Sequence, residues 1–227
     1  LAAGPLSALL ANFDWRAIFV GIGLFSLILA LAALVVVRNR PEDLGFAAPN
    51  RYAENSTTPQ RSNWLKNLGG IVSVLHIWPG FWVQFGMIGS LYSFMGLWGI
   101  PYLRDVHGLE RAAAAGYMTT MLLCFAFGSL FFGWFSDRIG RRKPLLVGCV
   151  IGYTLIWCVL MYTEWTPGGL AYLLFGGLGV AGSGFVLTFA AAKEVSHPEL
   201  AGMAVSVVNT GCFTGTALMQ PLFGFIA

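Results

Sequence analysis

Long apolar runs recur along this chain, and they restrict its fold more than any other feature. A helix needs about 20 apolar residues to cross about 30 Å of hydrocarbon. Runs at 17–37, 79–101, 112–135, 144–162, 168–192 and 201–227 come close to that length or exceed it, so each predicts a spanning helix. A backbone surrounded by lipid must pair its own N–H and C=O groups, which a helix does within one segment. The runs therefore predict an all-α, polytopic membrane protein. Only 10% of the residues are charged, against about 25% in a typical soluble domain, and 57% are hydrophobic, which excludes a soluble fold. Residues 1–11 read as the stump of an earlier helix, and Leu1-Ala2-Ala3-Gly4-Pro5 lacks the basic n-region of a signal peptide. With an apolar run still open at Ala227, the expectation is a piece of a longer protein, cut at both ends.

The net charge is only +3, but its distribution is informative. Alternating the loops between the two sides puts ten of the 13 Lys and Arg on one of them: Arg38, Arg40, Arg51, Arg61, Lys66, Arg138, Arg141, Arg142, Lys143 and Lys193. That bias predicts a cytoplasmic location for the 38–75 loop, the 133–143 loop and the 193–200 turn; separately, the expected membrane is a bacterial cytoplasmic one. The basic residues lie at membrane edges rather than on one soluble face, so nucleic acid is not an expected partner. Cys124, Cys149, Cys158 and Cys212 fall inside apolar runs without metal-ligand spacing. They read as small buried hydrophobes, with no metal or cofactor implied. Trp15, Trp78, Trp82, Trp98, Trp134 and Trp165 lie near span ends and read as interfacial anchors.

Between the runs at 112–135 and 144–162 lies Gly133-Trp134-Phe135-Ser136-Asp137-Arg138-Ile139-Gly140-Arg141-Arg142-Lys143. A turn that only followed the positive-inside rule would need the arginines but neither the Asp nor the glycines. The pattern Gly-x-x-x-Asp-Arg-x-Gly-Arg-Arg/Lys resembles the cytoplasmic signature loop of the major facilitator superfamily of solute transporters. Trp15-Arg16-Ala17-Ile18-Phe19 is similar to the entry of that family's sixth helix. The resemblance implies the two-bundle fold, represented mostly by an incomplete C-terminal six-helix bundle. On that plan residues 1–37 close the N-terminal bundle as a fifth-helix stump and the sixth helix. Residues 38–78 form the cytoplasmic central loop, and residues 79–227 carry helices seven to eleven. The rest of the first bundle and the twelfth helix then belong to missing parts of the same transporter. Within the loop, Arg40-Pro41-Glu42-Asp43-Leu44-Gly45 reads as a helix stop and 55–60 as a linker. Ser62 is placed to cap a short helix with Trp64, Leu65, Leu68, Ile71 and Val72 on its apolar stripe. That helix reads either as interfacial or as the start of the seventh span.

Two sets of residues can carry chemistry. The first is the signature loop, with Gly133, Asp137, Arg138, Gly140, Arg141 and Arg142. Ser196-His197-Pro198-Glu199 has the spacing of a capping box that opens the eleventh helix. Its partly positive N-terminus is the expected partner of Asp137. Gly133 is expected to allow close helix approach, and Arg141 or Arg142 to pair with Glu194 or Glu199. The resemblance implies a latch on the cytoplasmic side, of about 1–2 kcal/mol if partly shielded. The second set is a candidate cavity face. Asn209, Phe213, Thr216 and Gln220 recur at i, i+4, i+7 and i+11, within about 40° of one line on a helix. Polar groups in hydrocarbon are costly, so this stripe faces either a cavity or a neighbouring helix. Gln84 and Tyr92 lie loosely on one side of the seventh helix, and Gly96, Gly99 and Pro101 make its outer end breakable. Gly211 and Gly215 on the eleventh helix are spaced for close packing. The tenth helix is glycine-dense, which fits sliding or static packing alike.

The resemblance implies a secondary active transporter that moves a small polar organic solute by alternating access, with H+ as a candidate coupling ion. No Asp, Glu, Lys, Arg or His falls near the middle of helices seven to eleven, so a coupling carboxylate is expected in the missing half. The alternative is a non-transporting membrane sensor or receptor on the same fold. A membrane-embedded enzyme fits least, because His76, His107 and His197 all lie at edges or in loops.

Overall fold

A computed structural model of the chain describes residues 13–38 and 63–226, together with Leu9 and Gly45. The expected stump at 1–11 (apart from Leu9), the helix stop at 40–44, the linker at 55–60, the Ser62 cap, Arg51 and Arg61 lie outside the described residues. Two compact units result, Ala2–Asn63 and Trp64–Ala227. The described part of the first is α1, Trp15–Val36, a 22-residue helix without a buried residue. At 1.5 Å per residue it reaches about 33 Å, and it is apolar all round, as a span facing lipid is.

The second unit is entirely helical among its described residues. It contains α2 (Trp64–Val72), α3 (Leu75–Asp105), α4 (Arg111–Ile139), α5 (Arg142–Tyr162), α6 (Gly169–Ser183), α7 (Val186–Glu194) and α8 (Ala201–Ile226). Helices α3, α4, α5, α6 with α7, and α8 correspond in order to the expected helices seven to eleven. By length and apolarity, α1, α4, α5 and the joint segment Gly169–Glu194 can cross a membrane, and α2 with α3 forms a further span bent by 71°. The bend sets α2 off from α3, an arrangement common to both readings of 64–72, the interfacial helix and the start of the seventh span. The Trp78 indole fixes the corner by donating to the Val72 carbonyl at 3.0 Å. Helix α8 has the length of a span, 26 residues, but is less apolar than the four. Its Asn, Thr and Gln residues lower its hydropathy, and its other face is buried in protein.

The bundle closes because small residues let backbones touch. On α6, Gly179 lies against the Met121 carbonyl and the Phe125 amide of α4, with no room for a Cβ. Gly211 and Gly215 of α8 sit on the Phe81 and Phe85 carbonyls of α3, and Gly89 of α3 faces the Gly215 backbone. Without a hydrophobic drive between helices in lipid, such van der Waals contact is the main source of association. The packed glycines of α6 and α8 are thus close-packing residues. Around these contacts sit Leu91, Phe94, Met121, Phe175 and Leu178, all buried.

The stretch at 96–101 that reads as breakable is helical here, and α3 runs on to Asp105 without a gap. It contains two π-turns, Gln84–Ile88 and Phe94–Trp98. Pro101 has no N–H for the Leu97 carbonyl, and the wider turn just before it absorbs that loss. Gly99 packs against Met118. Three tryptophans depart from the anchoring role, the half-buried Trp78 at the α2–α3 corner among them. Trp165 is buried, donates to the Leu160 carbonyl at 3.1 Å and packs on His107 and Phe175. Trp98 is half-buried and donates to the Gln220 carbonyl at 3.0 Å. Trp15, Trp82 and Trp134 are exposed, free to meet headgroups. Among the cysteines Cys158 is exposed, on the outer face of α5, whereas Cys149 and Cys212 are buried as expected.

Candidate functional site: the signature turn and the polar stripe

The turn between α4 and α5 is two residues long, and Gly140 makes it possible. Gly140 has φ +69° and closes α4 by donating its N–H to the Ser136 carbonyl at 2.9 Å. A left-handed cap of this kind favours glycine. It reverses the chain so that Arg142, the first residue of α5, folds back on the end of α4. One guanidinium then binds three side chains. Its Nη1 donates to Ser136 Oγ at 2.7 Å and to Asp137 Oδ1 at 2.6 Å, and its Nε donates to Glu194 Oε1 at 2.9 Å. Arg142 is 20% exposed, but Asp137 is 72% and Glu194 54% exposed. The acids face water, so each pair is worth about 0.2–1 kcal/mol. Geometry matters more than strength here, because a single side chain ties together the ends of α4, α5 and α7.

Several expectations are corrected at this site. The partner of Asp137 is Arg142, not the N-terminus of α8. The capping box does not form: Ser196 Oγ donates back to the Lys193 carbonyl at 3.3 Å, and the 3₁₀ turn Pro198–Leu200 precedes α8 with no side-chain cap. The turn at Pro198 moves the start of α8 to Ala201, out of reach of Ser196. Glu199 is exposed and makes no ion pair among the described residues, and Arg141 likewise pairs with none. Arg138 lies over the Trp134 ring at 5.9 Å instead of crossing the loop. A Cβ added at Gly133 meets nothing within 4 Å, so no neighbour among the described residues requires glycine there.

The six candidate cavity residues also divide. On α8, Asn209, Thr216 and Gln220 are half-buried and Phe213 is 65% exposed. The Thr216 hydroxyl bonds back to the Cys212 carbonyl at 2.9 Å, as Thr210 and Thr214 do to Val207 and Thr210. Gln84 does not share their setting. It is fully buried, and its Nε2 donates to Thr188 Oγ1 at 3.0 Å. The π-turn at Gln84–Ile88 inserts extra backbone between positions 84 and 92, which defeats an angle counted at 3.6 residues per turn.

Tyr92 is half-buried and begins an aromatic series that sequence reasoning missed. Its ring lies 6.1 Å from Phe125, which stacks on Phe185 at 5.3 Å, and Phe185 meets Phe189 at 5.6 Å. The i, i+4 spacing of Phe185 and Phe189 was the available signal. A cavity of ≈ 840 Å³ opens elsewhere, between α3, α5, α6 and α8, walled by Phe94, Trp98, Tyr102, Trp157, Phe175 and Phe223. None of the six candidate residues lines it.

Helices of spanning length, glycine-seated packing and the closed Gly140 turn converge on one family. The sequence profile of the Major Facilitator Superfamily matches residues 1–219. The chain belongs to this superfamily. As a major-facilitator chain it is an integral membrane protein with an all-α, polytopic fold. The membrane sensor protein UhpC of Escherichia coli K12 is 22% identical over 225 residues, covering 94% of this chain and 51% of UhpC. The probable galactarate/D-glucarate transporter GudP of the same organism is 23% identical over 165 residues, 62% of this chain and 37% of GudP. The chloramphenicol resistance protein of Pseudomonas aeruginosa is 29% identical over 140 residues, 62% of this chain and 32% of that protein. The chain thus spans about half the length of UhpC and less of the other two. No solved structure matches it significantly.

Proposed function

We propose that this chain is part of a secondary active transporter that moves a small polar organic solute by alternating access. It supplies most of the C-terminal bundle, with α1 as the sixth helix and residues 38–78 as the cytoplasmic central loop. The observation that carries the reading is Arg142, whose guanidinium gathers the ends of α4, α5 and α7. Weak, water-facing pairs suit a latch that must open each cycle, since a contact of about 1 kcal/mol biases a two-state equilibrium severalfold without freezing it. The half-buried stripe of Asn209, Thr216 and Gln220 offers uncharged polar groups to a solute. A proton-coupling carboxylate, if the carrier uses one, lies outside α3–α8, whose middles carry no Asp, Glu, Lys, Arg or His.

The test is uptake into proteoliposomes containing the whole protein, with and without a pH gradient. Sugar diacids and neutral chloramphenicol are the first solutes to try, given what GudP and the chloramphenicol resistance protein are named for. Asn209→Ala and Gln220→Ala are expected to change apparent affinity about threefold to tenfold, the cost of about one hydrogen bond. Unchanged kinetics in both, with lowered thermal stability, assigns the stripe to helix packing. For orientation, a cysteine at Arg141 is expected to react with impermeant reagents only from the cytoplasm of bacterial cells, and one at Glu164 only from outside. Labelling of both from one side removes this topology.

A second reading has its own support. UhpC sensors of two organisms match over 94% of the chain, whereas GudP and the chloramphenicol resistance protein match over 62%. A sensor on this fold binds solute without moving it. Saturable binding with no uptake under any gradient selects that reading.

A further inference from the structure

The span formed by α6 and α7 is interrupted where its hydrogen bonding changes. Gly184, Phe185, Leu187 and Thr188 each donate to the carbonyl three residues earlier, at 2.9–3.2 Å, rather than four. A 3₁₀ stretch inside a long helix marks a hinge or a strained sequence. Packing explains why it forms here. Gly182 sits on the Leu91 side chain of α3 and Gly184 on Cys149 of α5, where a Cβ has no room at 184 and would push the Leu91 methyls aside at 182. Below this passage α7 is nine residues long, and its far end holds Glu194, the residue that Arg142 grips.

Facing the passage is the first of the two π-turns of α3, Gln84–Ile88. One hydrogen bond joins the two. The Thr188 hydroxyl donates to the Phe185 carbonyl at 2.6 Å, inside the 3₁₀ passage. Its proton being used, that oxygen accepts from Gln84 Nε2 at 3.0 Å. Both side chains are essentially inaccessible, at 0% and 1% exposure. Gln84 Oε1 is buried as well and has no hydrogen-bond partner among the described residues. An enclosed acceptor without a donor destabilises this arrangement relative to one in which the amide is better satisfied. That narrows the gap between two arrangements of the segment, as a bistable element requires. Gly211 of α8 closes the site against the Gln84 Cβ, so a shift of the amide is felt by three helices.

We propose that the Gln84–Thr188 hydrogen bond couples the π-turn of α3 to the 3₁₀ passage at 181–188, and retains α7 as the moving half of a hinged span. When the bond opens, α7 swings on that passage and carries Glu194 away from Arg142. The inference rests on the latch reading for the purpose of the movement, but the hinge itself needs no transport. Gln84 is then a positioning residue that acts on the gate through Thr188.

The test is the distance between spin labels at Ser73 and Lys193, both exposed, measured by pulsed electron resonance in the whole protein in lipid nanodiscs. Wild type is expected to give a narrow main distance with a minor longer one. Thr188→Val, which keeps the shape and removes the hydroxyl, is expected to raise the longer population about threefold or more. Gln84→Leu is expected to do the same, the double variant no more than the larger single, and Thr188→Ser to keep the wild-type distribution. A wild-type distribution in Thr188→Val overturns the proposal. So does a Thr188→Val protein that cannot be recovered folded while Thr188→Ser can, because the bond is then structural support. No solute enters the measurement. A shifted distribution in a protein that transports nothing therefore removes the transporter reading and leaves the hinge standing.

Discussion

Arg142→Ala is expected to lower solute turnover about tenfold or more, the largest functional loss of any substitution in the signature loop. Three hydrogen bonds vanish together, and Asp137 and Glu194 lose their shared cation. Two pairs of about 0.2–1 kcal/mol and one charge-assisted bond of about 1.5–3 kcal/mol to Ser136 sum to about 2–5 kcal/mol, and about 1.4 kcal/mol is a factor of ten. Asp137→Asn removes one of the three bonds at an exposed position, so its loss is expected to be smaller, about twofold to fivefold. Arg142→Lys is expected to fall between, since an ammonium cannot serve Asp137 and Glu194 with two separate N–H vectors as the guanidinium does. The readouts are initial uptake rates in proteoliposomes and the reactivity of a cysteine at Met203, which is expected to rise in Arg142→Ala. Equilibrium solute binding is expected to stay within a small factor, because the turn is remote from the α8 stripe. A wild-type rate with unchanged reactivity at position 203 would leave the turn as a relic of the family pattern and favour the sensor reading.

The sequence reading succeeded where a physical requirement acts on one segment at a time. Span length follows from hydrocarbon thickness, so the helices were legible to within a few residues. Helix α3 is longer than its apolar run because Tyr102, Arg104 and Asp105 extend it past the hydrophobic stretch. Gly140 was legible only as a position of the signature pattern, and its left-handed cap on α4 emerged from the structure. What was lost depended on a second segment. The capping-box spacing at 196–199 was present, yet the 3₁₀ turn at Pro198 turned Ser196 back onto α7. Asp137 was correctly placed at a helix end, but its partner proved to be a residue only five positions away, folded back by the Gly140 turn. The fall of Gln84 from the candidate face has a similar origin. No propensity announces a π-turn, and one such turn rotates everything after it.

Glycine shows this limit most clearly, because its role is decided by what lies opposite. Gly133 and Gly179 both stand in long helices and look alike in sequence. Around Gly133 the described chain leaves open space, whereas Gly179 rests on the Met121 carbonyl and the Phe125 amide. Gly179→Leu is therefore expected to prevent assembly of the bundle, and Gly179→Ala to cost at least about 1–3 kcal/mol. The obstructing atoms are backbone within a helix and cannot rotate aside as a side chain can. Gly133→Ala is expected to leave stability unchanged or raise it by up to about 1 kcal/mol, since alanine is the better helix former where no contact is lost. Thermal unfolding of the whole protein in detergent, followed by size-exclusion to score aggregation, separates the two. A wild-type melting temperature for Gly179→Ala would mean that α4 and α6 stand further apart than the structure places them. The glycine-dense stretch would then be better read as loose packing that tolerates sliding.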